Sequence, residues 1–156
     1  MDVTHSATRV FTALGRVPLS LHQLLFRLAI AGVFLRAGLG KVASWESTIA
    51  LFREEYRVPV LPPEVAAVMA SSVEIGCSIL LLVGLATRVA TVPMLGMIAT
   101  IQIFVYPQAW HEHLTWGSIL VFLLTRGAGT LSLDHAIGST LTARASTTPA
   151  MHNGLA

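Results

Sequence analysis

Charged residues are scarce in this chain: Asp, Glu, Lys and Arg make up 12% of its 156 residues, about half of the roughly 25% that is usual in soluble domains. Hydrophobic residues make up 54%, and the mean hydropathy is +0.71. This composition excludes an ordinary soluble domain and predicts a small protein embedded in a lipid bilayer. The ten Lys and Arg residues are scattered and form no basic patch, so we expect no nucleic-acid partner.

Cysteine is almost absent as well, since Cys77 is the single one. One thiol cannot form a disulfide within the chain or a dithiol centre, and we interpret Cys77 as a small apolar packing residue. The beginning of the chain lacks the long apolar run of a signal peptide. We therefore interpret residues 1–18 as a short cytoplasmic lead-in.

Long apolar segments, in contrast, are abundant. Four of them predict membrane-spanning helices over about 19–42, 64–88, 89–106 and 111–125. The first three approach or exceed the length of about 20 residues that a helix needs to cross a bilayer. The fourth is the shortest, because its uninterrupted apolar run covers only residues 114–125.

Between the first two segments the chain carries aromatic residues at helical spacing, which predicts a short amphipathic helix in the membrane interface. These residues are Trp45, Phe52 and Tyr56, with Ile49 between them. The predicted fold is therefore an all-α, integral membrane four-helix bundle over residues 19–138, with an interfacial helix between spans 1 and 2. Residues 139–156 are rich in Ser, Thr and Ala, and we expect them to form a disordered tail.

Basic residues outside the spans indicate the orientation of the bundle. An even number of crossings puts both termini on one side, and positive loops favour the cytoplasm. The terminal side would carry Arg9, Arg16, Arg88, Arg126 and Arg144, against Lys41, Arg53 and Arg57 on the other side. We therefore expect cytoplasmic N- and C-termini.

Glu74 is the one charged residue between Ala66 and Ala86. A charge at this depth costs about 2.5 to 3.5 kcal/mol on insertion scales, so it normally faces the bundle interior and has a partner. Counted from the cytoplasmic helix ends, Glu74 lies at roughly 20 Å, Arg27 at roughly 12 Å and Arg36 at roughly 25 Å. We expect Arg27 to pair with Glu74, because Arg36 can also extend toward the outer interface.

Gln102 lies at about the same counted depth as Glu74, which predicts one shared polar layer. Further along, Tyr106, Trp110 and Trp116 flank the sequence His111, Glu112, His113. An aromatic belt with interfacial histidines is one interpretation of this segment. The other is a zinc or copper site, for which His111 and His113 are the candidates although they lack the i, i+4 spacing of two ligands on one helix face.

Three segments of the chain resemble the DoxX family of four-span bacterial membrane proteins. They are RLAIAGVFLRAGLGK at 27–41, EIGCSILLLVGLATR at 74–88 and RGAGTLSLD at 126–134. The resemblance implies a bundle in the bacterial cytoplasmic (inner) membrane and a link to quinone-dependent oxidoreductase systems. It also implies that Arg27, Lys41 and Glu74 match the recurrent polar residues of the family. The fourth span departs from the acidic residue of many members.

Our leading hypothesis is a membrane subunit that binds quinone within the bundle and exchanges electrons with a partner redox protein, because the chain has no flavin, haem or cluster motif of its own. Glu74 and Arg27 would be the catalytic pair. The remaining residues of the predicted quinone site are Gln102, Lys41, Arg36, Trp116 and Tyr106.

Three alternatives stay open. The buried polar residues equally fit a structural ion pair that fixes helix register. The protein could be a non-catalytic anchor or assembly partner, including for a second copy of itself. It could also handle metal or small solutes at His111 and His113, in a pathway for metal-binding peptides.

Overall fold

A computed structural model describes residues 15–146, together with Arg9 and Thr12; for 141–146 it describes the backbone alone. Most of the predicted lead-in thus lies outside the described residues. Two single turns of π-helix, π1 (Phe52–Tyr56) and π2 (Ile101–Val105), extend the second and fourth helices. The α-helices are α1 (Leu19–Ala43), α2 (Trp45–Leu51), α3 (Pro63–Val83), α4 (Thr87–Thr100), α5 (Trp110–Arg126) and α6 (Leu133–Ser146).

Three helical segments are long and apolar enough to cross a membrane. They are α1 with 25 residues, α3 with 21, and α4 continued by π2 with 19. The predicted all-α membrane bundle is therefore confirmed. Helix α5 has 17 residues and is shorter than these three, so the fourth crossing stays a prediction.

Four helices pack around one another, with α1 on α3, α3 on α4, α4 on α5 and α5 back on α1. Their common core contains Ile30, Phe34, Leu81, Met94 and Leu120. Leucines and valines on the outer faces, such as Leu25 and Val33, are exposed, as expected for helices surrounded by lipid. We call the two ends of the bundle the α2 end and the α6 end, after the short helices that lie there.

Helices α1 and α3 lie close together at Gly38. A Cβ at this position would lie 2.7 Å from Ile75 Cγ1 and 2.9 Å from Glu74 Cβ, distances that no real side chain tolerates. Gly38 is therefore level with Glu74. Because the two helices run antiparallel, Lys41, one turn further along α1, is level with Ser71, one turn before Glu74 on α3.

The segment between α1 and α3 is helical, as predicted, and lies across the α2 end. Phe52 packs with Ala66 and Ala67 at the start of α3, and Trp45 and Tyr56 pack against this cluster. This segment therefore forms a roof over α3.

Helix α6 corrects the predicted boundary of the tail. It continues to Ser146, so the chain is helical beyond Ser139, where we expected disorder to begin. The start of α6 is anchored, since Asp134 accepts hydrogen bonds from Ala86 N and Thr87 N at 2.7 and 3.1 Å. Residues 147–156 lie outside the described part of the chain.

Candidate functional site

Glu74 points into the bundle and is held by Lys41. The Lys41 ammonium lies 2.7 Å from one carboxylate oxygen and 2.8 Å from the other. The Glu74 side chain is 4% exposed, and that of Lys41 is 17% exposed. A basic residue of the first span thus neutralises the carboxylate, as the sequence predicted, but the predicted partner was wrong: it is Lys41 and not Arg27.

Arg27 lies near the α6 end instead. It donates from Nη1 to the Leu81 carbonyl at 3.1 Å and from Nη2 to the Leu131 carbonyl. The prediction failed because counting depth from the two helix ends assumes that those ends are level. Since Arg27 faces Leu81, the first two turns of α1, about 12 Å long, extend past the last turns of α3.

Gln23, one turn before Arg27, also donates hydrogen bonds from its side chain to main-chain carbonyls. Gln23 donates from Nε2 to the carbonyls of Arg126 and Gly127 at 3.0 and 3.2 Å. Gly84 ends α3 with φ +69°, and a side chain there would clash with the Arg27 guanidinium. These contacts hold the chain after α3 and the chain after α5 against α1. Arg27 and Gln23 therefore have a structural position. The sequence analysis did not single out Gln23.

Ser71 lies on the same face of α3 as Glu74, about 4.5 Å nearer the α2 end. Its side chain is buried, and none of the described residues forms a hydrogen bond with its hydroxyl. The residue borders a cleft of about 440 Å³ on the outer face of α1 and α3. Among the residues lining this cleft are Val42, Trp45, Val68, Ser71, Ser72 and Ile75.

Trp45 is fixed above this cleft by the connection between α1 and α2. The buried Thr48 donates its hydroxyl to the Lys41 carbonyl at 2.9 Å, so the end of α1 and the start of α2 form one unit. Lys41, Ser71 and Glu74 therefore form a compact polar cluster beside a membrane-facing cleft, with an indole ring at its upper edge. We call these three residues the polar cluster and the opening beside them the Trp45 cleft.

Gln102 belongs to a different group, which overturns the predicted polar layer. Its Nε2 donates to the Pro107 carbonyl at 2.9 Å, and its Oε1 lies 2.7 Å from Nδ1 of the buried His113. Trp116 stands beside His113 and meets Phe34 edge to face, with ring centroids 5.4 Å apart. These contacts connect π2, α5 and α1.

Tyr106 follows π2 and contacts the roof. Its hydroxyl donates to Glu55 Oε1 at 2.5 Å, and its ring lies edge to face with Tyr56. The hydrogen bond to Glu55 is the main cause that raises the pKa of Tyr106, whereas burial is the main cause that raises the pKa of Tyr56. The Tyr106 side chain thus contacts the roof, whereas the Gln102 side chain contacts Pro107 and His113.

The remaining predicted residues are Arg36, His111 and His113. Arg36 is exposed on α1. His111 stacks on Trp110 with ring centroids 3.7 Å apart, whereas His113 turns inward to Gln102. Over the part of the chain that the structure describes, no three or more His, Cys, Asp or Glu residues lie together in a way that could hold a metal ion.

Some signals for this arrangement were present in the sequence. Ala67, Ser71, Glu74 and Ser78 form a stripe of small and polar residues on α3, and Gly38 precedes Lys41 by one turn of α1. Small residues at helical spacing allow close packing of membrane helices. Gly38 packs on Glu74, and this brings Lys41 within reach of the carboxylate. The contact depends on the position of α1 along α3, which neither segment indicates by its own sequence.

These observations define a class of protein: a membrane protein made of packed helices, with a buried carboxylate and ammonium between two of its spans. The DoxX family model matches residues 22–107, which is more than half of the chain and includes Arg27, Lys41 and Glu74. The chain belongs to the DoxX family. No curated protein and no solved structure matches it.

Proposed function

We propose that this DoxX-family protein is a membrane subunit of a quinone-linked oxidoreductase system, and that quinone binds in the Trp45 cleft. The observation that carries the proposal is the Ser71 hydroxyl, which is buried without a hydrogen-bond partner among the described residues. It lies beside a buried ion pair and borders an open cleft. A buried polar group without a hydrogen bond costs about 1 to 3 kcal/mol. A ligand with a hydrogen-bond acceptor would satisfy it.

The residues present fit a quinone. The ring of a quinone is flat and apolar, with carbonyl oxygens that accept hydrogen bonds. Ser71 supplies a donor and Trp45 offers an aromatic face. Lys41 is not in the lining itself, but it directly precedes the lining residue Val42 on α1. Val42, Val68 and Ile75 supply apolar walls. The cleft volume of about 440 Å³ lies within the range of small-molecule sites, roughly 300 to 1,000 Å³.

A bound quinone supplies two-electron chemistry, since it takes up two electrons and two protons to become a quinol. We assign the electrons to a separate reduced redox protein. Lys41 is the residue of this chain that would hold a proton for the quinone, and the aqueous phase at the α2 end would supply the protons. Glu74 holds the Lys41 side chain in place through two hydrogen bonds. We therefore assign the catalytic role that we expected for Arg27 to Lys41.

Orientation completes the proposal. In the bacterial inner membrane, with both termini cytoplasmic, the α2 end faces away from the cytoplasm. The Trp45 cleft then opens into the outer half of the bilayer, where membrane quinones can diffuse to it. The partner redox protein would bind over the roof formed by α2 and π1.

The test is the quinone content of protein purified gently from its own membranes. We expect wild-type protein to retain quinone and Ser71→Ala to bind it about tenfold more weakly, which corresponds to about 1.4 kcal/mol. Ser78→Ala is the matched control: Ser78 is also buried without a partner on α3, but the cavity lining does not include it. Glu74→Gln should abolish quinone-coupled turnover while the protein still folds.

Two outcomes would contradict the proposal. One is equal quinone content in the Ser71 and Ser78 variants, which would remove the Trp45 cleft as the site. The other is quinone-free wild-type protein that copurifies with another protein, which would support the anchor hypothesis instead.

A further inference from the structure

A second cavity lies on the opposite side of α3 from the Trp45 cleft. It has a volume of about 350 Å³ and lies between α3 and α4, beneath π1. Met69 and Val73 line it from α3, Pro93 and Gly96 from α4, and Phe52 and Tyr56 from the roof. We call it the α3–α4 slot.

The slot has the length of one lipid leaflet. On α3 its lining extends from Ala66 to Val73, and on α4 and π2 from Pro93 to Val105. At about 1.5 Å per residue these stretches measure about 10 and 18 Å. Half of a hydrocarbon core of about 30 Å is about 15 Å. The slot therefore reaches from the roof to about the middle of the bilayer.

The interior of the slot offers almost no polar group to a ligand. Thr100 is one of its two polar lining residues, and its hydroxyl donates to the Gly96 carbonyl of its own helix at 3.0 Å. The other is Tyr56, which belongs to the roof. A ligand that fits must therefore be a hydrocarbon chain inside the slot, with any polar part outside it.

Charges of both signs surround the roof. Arg57 is exposed directly after Tyr56, and its Nε donates to the Glu54 carbonyl at 2.9 Å, which leaves the other guanidinium nitrogens available to a phosphate. Arg53 forms a 2.6 Å ion pair with Glu64, and Glu54 and Glu55 add negative charge. This mixture favours a zwitterionic head group over an anionic one.

We propose that the α3–α4 slot binds one acyl chain of a zwitterionic phospholipid from the leaflet at the α2 end, with the phosphate near Arg57. The bound chain fills the space between α3 and α4 and supports the roof from below. The slot is separate from the Trp45 cleft, and the proposal does not depend on quinone binding.

Photocrosslinking tests this assignment. The full-length protein is placed in vesicles of phosphatidylethanolamine and phosphatidylcholine that contain a phosphatidylethanolamine with a diazirine in one acyl chain. We expect adducts to concentrate on Met69, Val73 and Met97. Gly96→Phe should lower their yield at least about tenfold, which corresponds to about 1.4 kcal/mol, because the added ring fills the slot.

Gly32→Phe is the matched control. Gly32 and Gly96 are both exposed, and a Cβ added at either would meet no heavy atom within 4 Å. Neither substitution should therefore prevent folding, but only Gly96 lines the slot.

Adducts spread evenly over the lipid-facing residues, or unchanged by Gly96→Phe, would overturn the proposal. Loss of the adducts on addition of a long-tailed quinone at low concentration would also overturn it, because the slot would then bind an isoprenoid tail and not an acyl chain. Ser71→Ala should leave the adducts unchanged, so a failure here is distinguishable from a failure of the Trp45 cleft.

Discussion

Arg27 and Lys41 are both basic residues of α1 with partners inside the bundle, but their hydrogen bonds differ in kind. Arg27 donates to the main-chain carbonyls of Leu81 and Leu131, which cannot take up a proton. Lys41 donates to Glu74, which can. The planar guanidinium suits a fixed structural position, whereas Lys41 and Glu74 form an ion pair between two side chains. The α6 end is therefore held by hydrogen bonds to the main chain, whereas the α2 end carries the residues of the proposed site.

The largest expected effect is on stability at the α6 end. Arg27→Met should lower the free energy of unfolding by about 4 kcal/mol, because it removes two hydrogen bonds from a charged donor, each contributing roughly 1.5 to 3 kcal/mol. Arg36→Met, at an exposed position of the same helix, is the control and should change it by less than about 0.5 kcal/mol. Denaturant unfolding in detergent measures both. If Arg27→Met and Arg36→Met had equal free energies of unfolding, Arg27 would not stabilise the α6 end.

The Lys41 pair should respond differently. Lys41→Met leaves the Glu74 carboxylate buried without its cation, at a cost of about 3 kcal/mol. Combining it with Glu74→Leu should restore most of the stability, because replacing a whole buried pair with apolar residues is often neutral. The double variant should nevertheless lack quinone-coupled turnover. A double variant as unstable as Lys41→Met would show that the pair is structural.

The contact between α1 and α3 is sensitive to a single methyl group. Gly38→Ala should cost about 1 to 3 kcal/mol through overpacking, since the new Cβ would lie within 3 Å of Ile75 and Glu74. Gly40→Ala, whose Cβ would meet nothing within 4 Å, should be neutral or up to about 1 kcal/mol stabilising. Unfolding of the two variants under the same conditions compares them. If they behave alike, Gly38 does not set the register.

The smallest expected effect concerns the roof. Both tyrosines of the chain have a raised pKa, Tyr106 chiefly through Glu55 and Tyr56 chiefly through burial. Tyrosinate absorbance should therefore appear above the ordinary value of about 10. The small stabilisation from these protonated hydroxyls is fully present below that pH and is lost as pH rises through the raised values. Glu55→Gln should shift the Tyr106 transition downward, and Glu54→Gln should not. Two transitions near pH 10 in the wild type would contradict this.

Much of this architecture could be predicted from the sequence. Apolar runs located α1, α3 and α4, and the cost of burying a charge predicted that Glu74 points inward to a basic residue of the first span. The partners of Arg27 and Gln102 could not be predicted in this way. Arg27 depends on how far α1 extends beyond α3, and Gln102 depends on how α5 is rotated against π2. The bond between Tyr106 and Glu55 joins the residue after π2 to π1, two segments 51 residues apart that no local pattern connects.

The short α5 has a consequence for the lipid around the bundle. Its 17 residues measure about 25 Å, against about 37 Å for the 25 residues of α1. Such hydrophobic mismatch is relieved by local thinning of the bilayer. We expect the membrane to be thinnest along α5, so that head groups and water descend toward Trp110 and His111, and the protein to favour thin membrane regions over thick ones.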